Sequence, residues 1–409
     1  MVNEATGLRE MAYLARVEEI RPIPGYDRVE HARIGAGWWL IVKKDEFKVG
    51  DVGIYIEYDS KVPAEPPFEF LEKRDYKIKI IKMCKVRSEG ILMHPSDFGW
   101  TLNDDKTVTI PGESKVFQAG DFLTERLKIT HIEDGDILRK GNSQDVYRSM
   151  QDRHKKIFKT KWAKWLMKRA WGRKLMFMFF GKKKDKRGWN WSWVSKSDQE
   201  RCQNLPYVFE DQEASYIETT KIDGTSSTFV LEKVRGKWKF SVCSRNVVQD
   251  DERKGTYHSD DENVYWQVAN KWHIKDFLKA YALANGYDGV ALQGETAGCS
   301  LGGAKLQGDP HKFGELRFFG YDLYVKGLGK TDILKAKEAC EAWGIEWVPV
   351  VNLDYHMPKT CEELLEHATG PCEASGSTGL REGYVYRRVG EPNRSFKAVS
   401  PEYLLKHNN

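Results

Sequence analysis

From Ala12 to Val86 the chain offers only short apolar runs, each cut off by a turn signal before it reaches the length of a helix. Ala12 to Ile20 is followed by Pro22-Ile23-Pro24-Gly25; then come Val29 to Ile34, Trp38 to Val42, Val52 to Glu57 and Lys77 to Val86, with Lys48-Val49-Gly50-Asp51 turning between two of them. Runs this short cannot bury a face alone, so they must close on one another as a small β-barrel. Between Tyr76 and Met83 lysine alternates with apolar residues over most of the run, which predicts one basic face and one core face.

An OB-like barrel, a fold that commonly takes oligonucleotides, is the first expectation for this region, and a purely structural barrel the second. No catalytic constellation is visible in it. At 409 residues, with 40% hydrophobic, the chain has room for two domains or three small ones with real cores. Its seven cysteines form no C-x-x-C pair, which argues against a disulfide framework or a zinc knuckle and for a reducing compartment. The N-terminus lacks the basic-then-apolar form of a signal peptide, and no apolar run approaches a membrane span, so the expectation is a soluble cytoplasmic protein.

The net charge of +5 hides an uneven distribution. From Arg139 to Gly188, 18 Lys and Arg face three Asp, a local +15, which leaves 47 basic against 57 acidic residues elsewhere. Within this segment Phe158, Trp162, Trp165 and Leu166 recur at helical spacing over a helix-like stretch from Gln151 to Phe180, and the glycine-bounded linker from Gly181 to Gly188 stops it. Three readings stand: a helix packed through its aromatic stripe with solvated charges, contact with nucleic-acid phosphates, or attachment to anionic lipid. Lipid contact is the least favoured.

Beyond the linker, Ser197-Asp198-Gln199-Glu200-Arg201 reads as a helix start. Strands are predicted at Ala214 to Thr220, Ser227 to Glu232, Trp238 to Cys243, Gly289 to Gln293 and Leu316 to Val325. Helices are predicted at Glu262 to Lys271, Lys275 to Asn285, Asp332 to Trp343 and Thr360 to Ala368. The class is α+β with mostly antiparallel sheets. No G-x-x-x-x-G-K-[ST] loop occurs, so nucleotide chemistry of the P-loop kind is excluded.

The chemistry centres on Thr220-Lys221-Ile222-Asp223-Gly224, where a lysine ends a strand ahead of a tight Asp-Gly turn. Alone, the string fits a surface lysine beside a hairpin. Downstream segments supply what a lysine nucleophile would need. Arg245 in Ser244-Arg245-Asn246 could grip a phosphate or ribose. Glu295 closes a strand just past Gly294 and suits a ribose hydroxyl, or is a solvated strand-end carboxylate. Phe318 shares a strand face with Gly320 and Asp322 and forms either a base slot or part of the core. Glu382 is a strand-borne carboxylate suited to a divalent metal, and Lys397 could neutralise a phosphate.

The order K-x-D-G, S-R-N, G-E, aromatic-x-x-x-D, E-G-x-V and a closing lysine resembles the covalent nucleotidyltransferases, which include ATP-dependent RNA and DNA ligases and mRNA capping guanylyltransferases. The likeness covers roughly Ser195 to Lys406 and is nearest to the nick-sealing Deinococcus-type RNA ligases (RNA ligase family 5), whose OB domain precedes the ligase domain. The phrase from Ser197 to Leu205, Ile20-Arg21-Pro22-Ile23-Pro24-Gly25, Trp38-Trp39 and Phe47 to Asp51 resemble the same branch.

That resemblance implies residues 1–135 as the OB-like barrel, 136–194 as a basic helical linker and 195–409 as the adenylyltransferase domain. It implies that Lys221 attacks the α-phosphorus of ATP to give lysyl-AMP, that AMP passes to a 5′-phosphate, and that a 3′-hydroxyl displaces it. Arg245 would contact the nucleotide's sugar and phosphate, Glu295 the ribose, Phe318 the adenine face and Lys397 the α-phosphate. Asp223 would shape the turn and assist lysine or metal positioning. The metal, Mg²⁺ or Mn²⁺, would lie at Glu382 and Glu295. The partner would be a nicked RNA-containing duplex, handled by a monomer with no protein partner, and removal of residues 1 to about 135 would spare the first step while impairing sealing.

Two residues depart from the pattern: Thr220 stands where many relatives have glutamate, leaving the adenine-side contact open, and Ser395 where others have a lysine. A capping guanylyltransferase or a DNA ligase is the rival within the superfamily, though both usually place an OB domain after the last lysine. A non-catalytic nucleic-acid-binding protein is the rival outside it.

Overall fold

The computed structural model describes residues 9–132, 191–195, 199–245, 247–251 and 263–407, with Thr160 and Leu166. The basic segment and its predicted helix otherwise lie outside the described residues. Among the described residues no helix is long and apolar enough to cross a membrane.

In the first domain β1 (Ala12–Ile23), β2 (Tyr26–Ile34), β3 (Trp38–Lys43), β4 (Val52–Ile56) and β5 (Ile91–Met93) form an antiparallel sheet in the order β3-β2-β1-β4-β5. Strand β1 runs past the predicted end because its two halves serve different neighbours: Ala12 to Arg16 pair with β4, and Val17 to Ile23 with β2. The register shifts at Pro22/Ile23, so the missing proline N–H falls at an irregularity where the ladder tolerates it. The expected basic strand from Lys77 to Val86 is not one strand. Lys77–Ile78 pairs with Ser60–Lys61, whereas Ile81–Met83 turns back on Val86–Ser88 through Cys84 and Lys85, both at positive φ, and the predicted single basic face is lost with it.

The barrel core gathers Leu14, Trp38, Ile54, Tyr55, Tyr58 and Phe68, and two residues from the far end of the chain complete it, Val399 and Leu404. The domains therefore share a core.

The second domain has two sheets. In the first, β6 (Ser215–Lys221), β11 (Val350–His356), β12 (Gly383–Arg388) and β13 (Ser395–Val399) lie in the order β13-β12-β6-β11, with Glu200–Arg201 added in parallel beside β13. The second holds β7 (Thr225–Val234), β8 (Lys237–Ser244), β9 (Gly289–Gly298) and β10 (Leu316–Val325) in the order β8-β7-β9-β10, extended by shorter strands at both edges. Helices α1 (Val264–Lys271) and α2 (Ile274–Asn285) cover it, seating Trp266, Phe277 and Leu278 on Phe229, Phe240 and Leu292. The helices α3 (Ile333–Ala342) and α4 (Cys361–His367) fall where predicted, and side chains at Asp332 and Thr360 cap them. A last helix, α5 (Pro401–His407), follows β13.

The expected helix start before Cys202 is corrected: Glu200 and Arg201 join a sheet, and only a 3₁₀ turn follows. This phrase docks the barrel. Asn204 Oδ1 accepts from Trp38 Nε1 at 2.7 Å and from the Tyr13 hydroxyl at 3.0 Å, and Trp39 Nε1 donates to Glu362 Oε1 at 2.9 Å. Arg201 lies over the Tyr58 ring at 4.5 Å and ion-pairs with the buried Glu57 at 3.0 Å. Burial alone would raise Glu57, but Arg9 and Arg201 outweigh it and hold the carboxyl at about 2.

Candidate active site

Strand β6 alternates so that Thr219 and Lys221 share one face while Glu218 and Thr220 take the other. After Lys221 the chain does not turn back as a hairpin. It leaves the first sheet, crosses through Ile222-Asp223-Gly224 and enters the second sheet at Thr225. Gly224 is required at this crossing because a Cβ there would stand 2.2 Å from the Thr296 carbonyl oxygen. The lysine thus sits where the two sheets part, on a cleft of about 710 Å³ whose lining includes Lys221, Asp223, Arg245, Glu295, Glu382 and Lys397. Arg9, Asp59 and His131 of the barrel line it from the other side.

Lys221 Nζ donates to Glu382 Oε2 at 2.5 Å. Burial by itself would lower the amine's pKa, but Glu382, Glu295 and Asp223 outweigh it and hold Lys221 above its ordinary value. Glu295 responds in the opposite sense. Burial, joined by the charges of Glu382 and Asp223 and opposed by Lys221, pushes its carboxyl up to about 8. The acidic side chains of Glu382, Glu295 and Asp223 thus face a cleft that also carries Lys221, Arg245 and Lys397. Among the described residues no group of three side chains is arranged to hold a metal unaided. Glu382 and Glu295 are carboxylates on one cleft and could each give one oxygen to a divalent ion whose other ligands came from phosphate and water.

Asp223 is held from two sides. The Tyr403 hydroxyl donates to its Oδ2 at 2.6 Å, and its backbone N–H donates to His311 Nε2 at 2.8 Å.

Two of the predicted residues are placed otherwise than expected. Phe318 is fully buried among Phe229, Trp272 and the backbone of Gly294, so its ring cannot reach a base in the cleft. The register Ser226↔Glu295 and Glu295↔Phe319 assigns the cleft to the other face of β10, where Tyr321 reaches it and shares a 3.1 Å hydrogen bond with the Ser226 hydroxyl. The Thr220 side chain points to the back of the sheet, where its hydroxyl donates to Glu373 Oε2 at 2.7 Å. Its side chain does not share the Lys221 face, although the residue still borders the cleft.

Reading the sequence missed Tyr321, His311, Tyr403 and Arg387, all buried or half-buried around the cleft. Arg387 donates to Thr219 Oγ1 at 2.9 Å beneath the cleft floor. Only Tyr321 had a signal, the alternation of β10, which offers two candidate faces. His311 and Tyr403 arrive from a loop and a terminal helix that no local spacing connects to Asp223.

Residues 214–399 match the sequence model of the family described as RNA ligase, and residues 11–95 match one described as an OB-fold domain. No curated protein matches the chain by sequence. Among solved structures, the chain is similar to an RNA ligase of Naegleria gruberi. A mutant solved with ATP and Mn shares 23% identity over 98% of each chain at a TM-score of 0.69. A mutant solved with AMP and Mn shares 23%, covering 98% of this chain and 99% of that one at the same TM-score. The enzyme with pyrophosphate shares 24% over the same spans, again at 0.69. The likeness is one of fold: an OB-fold barrel ahead of a mostly antiparallel ligase domain.

Proposed function

Because its residues 214–399 form an RNA ligase domain, which makes the chain an enzyme of the ligase class, we propose that this cleft joins RNA strands at the expense of ATP through a lysyl-AMP on Lys221. The observation that carries the reading is Lys221 Nζ at 2.5 Å from Glu382, at the parting of the two sheets, with Asp223 and Glu295 beside it.

In the first step the neutral Lys221 amine attacks the α-phosphorus, the Nζ–P bond forms, the α–β anhydride breaks and pyrophosphate leaves. The proton lost from the amine passes to solvent or to a neighbouring carboxylate. In the second step an oxygen of a 5′-phosphate takes the AMP, the Nζ–P bond breaks and the amine recovers a proton. In the third a 3′-hydroxyl attacks the activated 5′-phosphorus, forming the phosphodiester and releasing AMP.

Arg245 and Lys397 supply positive charge to the nucleotide's phosphate and sugar, and Glu295 accepts from the ribose. Tyr321 takes the base-stacking role expected of Phe318. A divalent metal held at Glu382 and Glu295 would neutralise phosphate charge. By drawing Glu382 away from Lys221 it would also favour the neutral amine. We propose further that the barrel, an OB-fold by its family match, helps to take the RNA, a nicked duplex bound by a monomer.

Incubation with α-labelled ATP and Mg²⁺ or Mn²⁺ should label the protein covalently. Equal labelling of Lys221→Ala would refute the reading.

A further inference from the structure

The last helix does two things at once. Leu404 is part of the barrel core, and its neighbour Tyr403 lines the cleft with only 2% of its surface exposed. Its hydroxyl donates to Asp223 Oδ2 at 2.6 Å, and its ring stacks on His311 with centroids 6.2 Å apart. His311 in turn accepts the backbone N–H of Asp223 at 2.8 Å. Main chain and carboxylate of the residue two positions past the nucleophile are thus gripped by a pair of rings that lean on each other.

A buried tyrosine hydroxyl needs a partner, and here the partner is a carboxylate that bears electrostatically on Lys221. Without that bond Asp223 could turn toward the amine and compete with Glu382 for it. We infer that Tyr403 is a positioning residue of the lysine-adenylylation centre, that it acts through Asp223, and that Leu404 ties this contact to the seating of the barrel. The inference rests on the function proposed above and adds to it a residue that no motif of the sequence marks.

A small misplacement of a reacting group can cost about a hundredfold in rate. Tyr403→Phe deletes one oxygen and leaves the ring on His311. It should slow self-labelling at saturating ATP by about tenfold while leaving the KM for ATP near the parental value. Asp223→Asn should also slow it, and the double variant should be no slower than the worse single one, because both remove the same contact. Leu404→Ala should slow labelling in the same direction with Tyr403 intact. Additive losses in the double variant, a parental rate in Tyr403→Phe, or a loss confined to KM would each overturn Tyr403's role, provided the parent labels and Lys221→Ala does not. Absence of label on the parent, or label retained by Lys221→Ala, would instead overturn the proposed function and this inference with it.

Discussion

Lys221 and Glu382 meet across two paired strands: Lys221 stands opposite Gly383 in the β6–β12 ladder, so the residue before Gly383 brings its carboxylate to 2.5 Å from the amine. The pair holds the nucleophile ready but protonated, since Lys221 lies above its ordinary value of 10.5. Self-labelling should therefore climb with pH, at up to about tenfold per unit, over the range from about pH 6 to about pH 9. Glu382→Gln should cost at least about a hundredfold at any pH, because the proposed metal would lose one of its two carboxylates. A labelling rate flat over that range would mean that the amine is neutral before ATP arrives.

Glu295 supplies a pH dependence of stability. Its carboxyl is raised from 4.5 to about 8, so between those values the folded state keeps a proton that the unfolded chain has lost. Stability should fall as pH rises through this window, by up to about 1.4 kcal/mol per unit, and level off above it. Glu295→Gln cannot ionise, so urea unfolding at about pH 5 and about pH 8 should show its advantage over the parent growing with pH. An advantage that is constant or shrinks would contradict the raised carboxyl.

Thr220 separates structure from catalysis. Since its hydroxyl bonds Glu373 behind the sheet, Thr220→Val should lower stability by about 1 kcal/mol and leave the KM for ATP unchanged. A raised KM at parental stability would put the side chain in the cleft after all.

Phe318 and Tyr321 give opposite phenotypes. Phe318→Ala empties a core position and should cost about 3–5 kcal/mol on unfolding. Tyr321→Ala should cost far less stability and raise the KM for ATP about tenfold, the scale of one lost base–aromatic stack. Interchanged results would return the base to Phe318's side of the sheet.

Removing the barrel should not spare the first step. Val399 and Leu404 would be stripped of their core, and the Tyr403–Asp223 contact would lose its support. A chain starting near residue 190 should therefore aggregate or fail to self-label. Parental labelling by that fragment would show that the shared core is dispensable.

Local chemistry was the legible part of this molecule. Short apolar runs between turn signals gave most of the barrel strands and the α+β character, and the helices expected at Asp332 to Trp343 and Thr360 to Ala368 fall within a residue of their observed spans. Lys221, Asp223, Arg245, Glu295, Glu382 and Lys397 were found in sequence and do line one cleft. Phe318 was misplaced because β10 is apolar on both faces, and only its pairing with β9 decides which face meets the cleft. His311, Tyr403 and the Glu57–Arg201 pair were invisible because they depend on contacts between segments far apart in the chain.

The shared core also bears on how such a protein is made. Synthesis delivers the barrel strands first, and Val399 and Leu404 can join their core only after the second domain has been made. The last two residues of the barrel core and the Tyr403 contact that fixes Asp223 therefore come from the same late stretch of chain. A chain that ends before β13 and α5 would lack both the residues that complete the barrel core and the Tyr403 contact to Asp223.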